Sequence, residues 1–240
     1  MRLSVASFRC PKMGNSEAEY EDAIATNKSR LRFAVADGAS DSSFARLWAG
    51  LLVKAFVRGH ITPVTLLSDI EPLQVRWLRR VGSKSSLPWY TQQKVASGAF
   101  AAFAGLSFEN GQKRDWRSVA VGDCCILHTR GDRLLHAFPL NTASDFTNRP
   151  ILVSSNPTSN GQTAQSIHTD MGKWERGDGF LLASDAMAAY LLGLLADEGR
   201  PLSAVVTFDR TEAGFRTWTD ELRASRVIRN DDISLIVISL

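Results

Sequence analysis

The sequence predicts a mixed α+β protein in which layered β-sheets are covered by helices on the outside. Two observations lead to this prediction. The short strand-like segments outnumber the strands that one open sheet holds comfortably, and helical segments occur in groups between them. Because no linker separates regions of different composition, residues 1–240 are predicted to form a single domain.

The first quarter of the chain contains two strand patterns and one helix pattern. Residues 22–26 and 31–37 have the composition of short strands joined by a polar turn. From Phe44 to Phe56 the apolar residues recur every three or four positions, which predicts an amphipathic helix. Ser40–Ser43 supply candidate caps at its start, and Gly59 is its expected end.

The rest of the chain alternates between helical and strand-like segments. Residues 63–96 are mostly helical in pattern, with interruptions at Pro72, Gly82 and Pro88. Strand patterns then cover 97–109, 116–129, 133–140, 177–185 and 233–240, while helical patterns cover 186–199 and the residues around Phe215, Trp218 and Leu222. The third of these strands returns along the second as a hairpin. Residues 141–176 are interpreted as a long irregular segment of the kind that often forms a functional flap.

The composition is that of an ordinary soluble globular protein, with 44% hydrophobic and 22% charged residues. The three cysteines suit neither a disulfide framework nor a zinc site, which favours a reducing compartment. The N-terminus lacks the pattern of a signal peptide, and no apolar run approaches the ~18 residues of a membrane span. We therefore predict a cytoplasmic protein without a membrane partner.

The net charge of +3 comes from basic residues that are scattered, apart from one group near the end of the second helical region. This group consists of Arg76, Arg79, Arg80 and Lys84. We interpret it as a solvated helix face, and a patch for nucleic acid or for an acidic partner is the alternative. We expect no nucleic-acid partner for the protein as a whole.

Acidic residues border apolar strand segments at several places in the chain. These residues are Glu21, Asp22, Asp37, Asp123, Asp185, Asp231 and Asp232. Each alone is explained by a loop that follows a strand. If they converge, however, their charges repel one another unless they share a cation. Oxygen ligands of this kind suit Mg²⁺ or Mn²⁺, and Gly38 would let the backbone approach closely enough for its carbonyl to bind too.

Five motifs that contain these acids occur in a recognisable order: YEDA, FAVADGAS, VAVGD, GDGFLLASDAM and NDDISLIVI. The series resembles that of the metal-dependent (type 2C) serine/threonine protein phosphatases, over residues 21–240. The resemblance implies a four-layer α-β-β-α sandwich with two central antiparallel sheets. It also implies a stand-alone, bacterial-like signalling enzyme that acts on a phosphorylated protein, with a serine/threonine kinase as a further partner.

The resemblance implies a two-ion centre built from the acids at the strand ends. Asp37 would bridge two Mn²⁺ or Mg²⁺ ions with the carbonyl of Gly38 beside it, and Asp185 and Asp231 would hold one ion. A hydroxide between the ions would then attack the phosphorus of phosphoserine or phosphothreonine. Asp37, Asp185 and Asp231 are therefore the predicted catalytic set.

The remaining motif positions supply further ligands and a phosphate contact. Glu21 and Asp22 match the acidic pair that contacts the second ion, and Asp123 matches a ligand of a third. The basic residue that binds phosphate in the family has no clear match here, so Arg9 and Lys12 are the candidates.

The chain departs from the family pattern close to these ligands. Ala39 and Ser40 replace the usual glycine pair, and Ala186 replaces another glycine. These departures leave two alternatives open: a catalytically weak, phosphatase-like module that binds or regulates partners, and a metal phosphohydrolase that acts on a small molecule.

A second phosphatase chemistry is suggested by Cys124 to Arg130, which fit the C-x5-R pattern of cysteine-dependent phosphatases. That mechanism needs a loop of free backbone amides around a thiolate. The intervening residues have strand character and contain no glycine. We therefore interpret the segment as a core strand with small apolar cysteines.

Overall fold

A computed structural model describes residues 3–82, 95–109, 113–147 and 149–240. Its strands are β1 Ser4–Cys10, β2 Ala23–Asn27, β3 Arg32–Gly38, β4 Phe100–Phe108, β5 Asp115–Val121, β6 Cys125–Arg130, β7 Arg133–Phe138, β8 Val153–Ser154, β9 His168–Lys173, β10 Asp178–Ala183 and β11 Ile233–Ser239. The α-helices whose bounds are described are α1 Ala45–Arg58, α2 Leu66–Gly82, α3 Asp185–Leu192, α4 Leu202–Val205 and α5 Glu212–Ala224. None of the described helices is long and apolar enough to cross a membrane.

The strands form two sheets in which every pairing is antiparallel. The five-stranded sheet has the order β1-β11-β10-β6-β7. The six-stranded sheet has the order β2-β3-β4-β5-β9, with β8 paired to β4 outside this path. The first and last strands of the chain, β1 and β11, are neighbours.

Three buried clusters show that the sheets and helices are stacked in four layers. The cluster between the sheets contains Phe33 and Phe180. A second cluster joins α1 and α2 to the six-stranded sheet around Trp48, and a third joins the later helices to the five-stranded sheet around Phe215 and Trp218. The α-β-β-α sandwich predicted from the motifs is therefore confirmed.

Helix α1 ends as predicted but begins differently. Gly59 ends it with a φ of 83°, in the left-handed region that favours glycine. No side chain of Ser40–Ser43 caps its start, where Phe44 is the N-cap residue. The Ser42 hydroxyl instead donates to the carbonyl of Ala39 at 2.8 Å and accepts from the amide of Phe100 at 3.2 Å. This serine therefore stabilises the loop that follows β3.

The predicted interruption of the second helical region at Pro72 is wrong. Pro72 lies inside α2, and its side chain is exposed. Since proline lacks an amide hydrogen, α2 loses one backbone hydrogen bond there, on the side where water can hydrate the freed carbonyl. The predicted interruption at Pro88 lies outside the described residues.

Residues 116–129 form two strands rather than one. β5 and β6 belong to different sheets, and Gly122 turns the chain between them with a φ of 84°. A Cβ atom on Gly122 would lie 2.8 Å from that of Ala102, so a side chain does not fit. The crossing places Asp123 between the edges of the two sheets.

The segment 141–176 is only partly irregular, because it contains β8 and β9. Strand β9 is the last strand in the order of the six-stranded sheet. Its side chains alternate between exposed and partly buried, so it has no apolar period to mark it as a strand.

Gly50, in the middle of α1, provides a test of helix energetics. A Cβ atom at Gly50 would meet no atom within 4 Å. Gly50→Ala is therefore expected to raise the free energy of unfolding by about 0.5–1 kcal/mol, measured by urea denaturation. Gly105→Ala should have the opposite effect, because its Cβ would lie 2.7 Å from the ring of Phe56. Equal effects of the two substitutions would contradict this account of α1.

Candidate metal and phosphate site

One edge of the sandwich brings the predicted carboxylates together, because the strands that carry them begin or end there. Asp37 and Gly38 end β3, whereas Asp22 and Asp232 directly precede β2 and β11. Asp185 is the first residue of α3, where the helix dipole favours a negative charge. Several of these residues line a cleft of about 590 Å³.

Gly38 lets three segments meet at this edge. A Cβ atom at this position would lie 2.7 Å from the carbonyl oxygen of Glu21 and 3.0 Å from Ala45. Any side chain at Gly38 would therefore separate β3 from the loop that carries Glu21 and from the start of α1. The glycine of the Asp-Gly pair is required by packing at the site.

The carboxylates that meet here form what we call the acidic cluster: Glu21, Asp22, Asp37, Asp123, Asp185, Asp231 and Asp232. Asp37 lies at its centre. Its pKa is raised well above the usual range, first by burial and then by the negative charges of Asp22, Asp185, Asp123 and Asp231. Since four separate segments contribute these charges, the structure brings together residues that are far apart in sequence.

Asp22 and Asp123 are buried acids whose negative charge is only partly offset by neighbouring groups. Asp22 is 3% exposed, and neither of its carboxylate oxygens has a hydrogen-bond partner among the described residues. Burial, and then the charge of Asp232, raises the pKa of Asp22 to about 8, although the nearby hydroxyls of Ser184 and Ser234 offset part of this rise. Burial, and then Asp185, raises the pKa of Asp123 to about 7.

Two cationic side chains contact the cluster. The guanidinium of Arg229 pairs with the carboxylate of Asp185. Lys12 places its Nζ 2.7 Å from Oδ1 of Asp231. Burial alone would lower the pKa of Lys12, but its hydrogen bond and ion pair with Asp231 raise it overall, so the ammonium stays charged. Arg229 was not predicted, and no motif in the sequence marks it.

Asp232 acts as a support for the site rather than as an obvious ligand. Its two carboxylate oxygens accept hydrogen bonds from the backbone amides of Lys12 at 2.8 Å and Glu21 at 2.7 Å. Asp232 therefore fixes the N-terminal loop against β11. The buried Arg223 has a similar role, since it donates to the carbonyl of Asp231 at 2.7 Å.

Replacing Asp232 by Asn should loosen this loop. An amide offers one acceptor oxygen, so one of the two backbone amides would face an NH₂ group. We expect Asp232→Asn to lower the free energy of unfolding by about 1–3 kcal/mol, measured by urea denaturation. Glu71→Gln is a matched control, because it removes one charge from an exposed position on α2. An Asp232→Asn variant as stable as the control would contradict this expectation, because the lost hydrogen bond would then be no larger than the repulsion with Asp22 that the substitution relieves.

The structure brings Lys12 to the cleft but not Arg9. The side chain of Arg9 is 57% exposed and lies 3.7 Å from a carboxylate oxygen of Glu17. Glu21 lies beside the acidic cluster and is partly buried. Its pKa is raised by burial and by Asp232, against the lowering effects of Ser40 and Lys12.

The donor chemistry of the cluster fits hard divalent cations. In the arrangement of residues 3–82, 95–109, 113–147 and 149–240, no three acidic, histidine or cysteine side chains surround a common point that could hold an ion. Seven predicted carboxylates nevertheless gather here, while the cationic side chains that line the cleft are Lys12, Arg149 and Arg229. An oxygen-only set with excess negative charge and an unpartnered buried carboxylate suits Mg²⁺ or Mn²⁺.

The cysteine-dependent alternative does not fit the structure. Cys124 is fully buried, and burial together with the charges of Asp37 and Asp123 raises the pKa of its thiol well above the usual range. Arg130 lies at the far end of strand β6, roughly 20 Å away at about 3.3 Å per residue. The two residues therefore cannot bind one phosphate, and the interpretation of this segment as a core strand is confirmed.

Comparisons with known proteins identify the fold but not a close relative. No family model matches the sequence, and no curated protein matches it. Among solved structures, the Mycobacterium tuberculosis serine/threonine phosphatase PstP/Ppp superposes with a TM-score of 0.64 at 16% identity, covering 99% of this chain and 98% of that one. The Staphylococcus aureus serine/threonine phosphatase Stp1 superposes with a TM-score of 0.64 at 11% identity, covering 100% and 96%.

A third solved structure contains metal. The catalytic domain of the serine/threonine phosphatase PstP, in complex with two manganese ions, superposes with a TM-score of 0.63 at 16% identity. The match covers 99% of this chain and 97% of that one. The described part of the chain therefore has the fold of these phosphatases.

Proposed function

We propose that residues 1–240 form one metal-dependent phosphoprotein phosphatase domain that hydrolyses phosphoserine and phosphothreonine. The observation that carries the proposal is the convergence of Asp37 with carboxylates from four other segments beside an open cleft. The fold shared with solved serine/threonine phosphatases supports it. The manganese ions in the PstP complex support the choice of metal.

We assign the central ligands as the motifs imply. Asp37 would be shared by two Mn²⁺ or Mg²⁺ ions, with the carbonyl of Gly38 beside it, and Asp185 and Asp231 would hold one of them. When bound, the ions would supply a water of lowered pKa as the nucleophile and would offset charge on the phosphoryl oxygens. No side-chain nucleophile is then needed.

The outer ligands follow from the same cluster. Glu21 and Asp22 would serve the second ion, directly or through water. Asp123, which lies between the edges of the two sheets, would serve a third. The unpartnered oxygens of Asp22 support its place in this set.

The cationic residues of the cleft would bind the phosphate. Lys12 presents a charged ammonium at the cleft, where its side chain is 29% exposed. The side chain of Arg229 is 54% exposed, and its guanidinium can pair with phosphate oxygens as it does with a carboxylate. Either residue can therefore turn from its aspartate to the phosphate of a substrate without crossing the protein interior.

One wall of the cleft comes from the segment 141–176, which we propose as the substrate-facing flap. Thr147, Arg149, Pro150 and Leu152 line the cleft together with Asp37, Asp185 and Asp231. A phosphorylated side chain that reached the acidic cluster would pass this wall. Differences in this segment are therefore expected to affect the choice of substrate more than the chemistry.

Activity in the presence and absence of metal tests the proposal. The protein should hydrolyse p-nitrophenyl phosphate and a phosphothreonine peptide with Mn²⁺ or Mg²⁺, lose this activity on chelation and regain it when metal returns. Activity that survives thorough chelation would reject the proposal. Binding of phosphopeptide with negligible turnover would support the weak regulatory module, and faster turnover of a panel of phosphorylated metabolites would support a small-molecule phosphohydrolase.

A further inference from the structure

A second large hollow lies between α1 and α2, on the outer side of the six-stranded sheet. It has a volume of about 780 Å³ and shares no lining residue with the acidic cleft. Its floor is apolar, formed by Leu47, Leu51 and Ala55 of α1 and Leu73 of α2. We call it the α1–α2 groove.

The rim of the α1–α2 groove is strongly basic. Lys54 and Arg58 of α1 and Arg76 of α2 are exposed, and none of the three forms an ion pair within the described part of the chain. Arg46 and Arg80 also line the groove, and none of the described residues that line it is acidic. The described lining therefore carries five cations, so positive charge is concentrated here.

Helical spacing explains why the cations gather. Leu47, Leu51, Lys54 and Arg58 recur every three or four positions of α1 and therefore share one face of the helix. Arg76 follows Leu73 by three positions on the facing helix. Arg76, Arg79 and Arg80 are exposed, as expected of a solvated helix face, and Arg76 and Arg80 line the groove together with the cations of α1. Lys84 lies outside the described residues.

Gly50 gives a second reason to regard the groove as a binding surface. It lines the groove at mid-helix, where glycine costs stability and where a Cβ atom would meet nothing within 4 Å. Neither packing nor backbone conformation requires glycine there. Its missing side chain leaves the space above the apolar floor open.

We propose that the α1–α2 groove docks an acidic amphipathic helix of a partner protein. Apolar side chains of that helix would pack on the leucine floor, and its Asp and Glu residues would pair with Lys54, Arg58 and Arg76. The apolar floor favours a protein helix over a nucleic acid, whose phosphate backbone would use the cations alone. The docking does not depend on the activity of the acidic cleft.

Binding of a designed peptide tests the proposal. The probe is a fluorescent 16-residue helix with leucines on one face flanked by glutamates, and its control is a scrambled peptide of the same composition. We expect the amphipathic peptide to bind at least tenfold more tightly than the scrambled one. Lys54→Glu with Arg58→Glu should weaken binding at least tenfold. The same change at Lys173 and Arg176, two exposed positions at and beyond the end of β9, should not.

A second variant tests the groove without changing charge. Gly50→Trp should fill the open space and weaken binding at least tenfold, while circular dichroism and the Tm establish that each variant is folded. No binding of the amphipathic peptide, equal binding of the scrambled peptide, or no effect of either groove variant would overturn the proposal. The proposal would also be overturned, in favour of a polyanion site, if a 20-nucleotide single strand or phosphatidylglycerol vesicles bound more tightly than the amphipathic peptide.

Discussion

Asp37→Asn is expected to lower kcat/KM for a phosphothreonine peptide by at least about 100-fold. Loss of an outer-sphere partner of a metal ligand already costs roughly 10–100-fold, and Asp37 is assigned as a ligand shared by two ions. The substitution removes the carboxylate that the other four acids, Asp22, Asp123, Asp185 and Asp231, surround. The measurement is steady-state turnover with saturating Mn²⁺.

The same variant has a second, independent readout in its thermal stability. Without metal, Asp37→Asn should raise the Tm, because one of several mutually repelling carboxylates is removed. With Mn²⁺ its Tm should rise less than that of the wild type, since fewer ligands remain. Glu71→Gln, which removes an exposed charge on α2, should change neither quantity. Full activity of Asp37→Asn would remove Asp37 from the catalytic set.

Asp178→Ala is expected to lower the free energy of unfolding substantially. Asp178 is the first residue of β10 and pairs with Arg130 at the end of β6, remote from the acidic cluster. The carboxylate is 1% exposed and accepts hydrogen bonds from Nε2 of His128 at 2.8 Å, Nε of Arg130 at 2.7 Å and the amide of Glu175 at 2.8 Å. Removing a buried, hydrogen-bonded charge costs up to about 5 kcal/mol, and the exposure of Arg130 reduces this to about 2–4 kcal/mol. At about 2–4 °C per kcal/mol, the Tm should fall by roughly 10 °C.

The effect of Asp178→Ala should depend on pH. Burial alone would raise the pKa of Asp178, but the hydrogen bonds from Arg130, the amide of Glu175 and His128 lower it below its usual range. A lowered folded-state pKa contributes stability above the unfolded-state value of about 4, and this contribution is lost as the pH falls through the folded-state pKa. Urea denaturation should therefore show a large difference in the free energy of unfolding between variant and wild type at pH 7, and this gap should narrow below about pH 4. A gap under about 1 kcal/mol at pH 7, or one that stays constant with pH, would contradict this account.

Much of the fold could be predicted because the buried strands leave short apolar runs and the amphipathic helices leave apolar residues every three or four positions. The last strand of the six-stranded sheet, the crossing between the sheets and the start of α1 could not be predicted. Strand β9 has no apolar side, and the crossing between the sheets at Gly122 lies inside a segment, 116–129, whose pattern predicts a single strand. Phe44 begins α1 although serines precede it, because Ser42 is used by the loop instead. In each case the deciding contact comes from another segment of the chain.

The site, too, could be predicted from the sequence only in part. The carboxylates could be predicted because each borders an apolar strand in a recognisable motif. Their supports could not, since the partners are distant in sequence. Asp232 lies 220 residues from Lys12, and Arg229 lies 44 residues from the carboxylate with which it pairs. Arg9 and Lys12 were equivalent as sequence candidates, and only the folded chain places Lys12 in the cleft.

A crystal of the full chain grown with Mn²⁺ tests the central claim most directly. Anomalous difference density should show at least two manganese ions in the cleft, with oxygens of Asp37, Asp185 and Asp231 around them. Arg229 and Lys12 should then be released from their aspartates. Should such a crystal show no manganese between these three residues, with Asp185 still paired to Arg229 and Asp231 to Lys12, the metal centre proposed here would be contradicted.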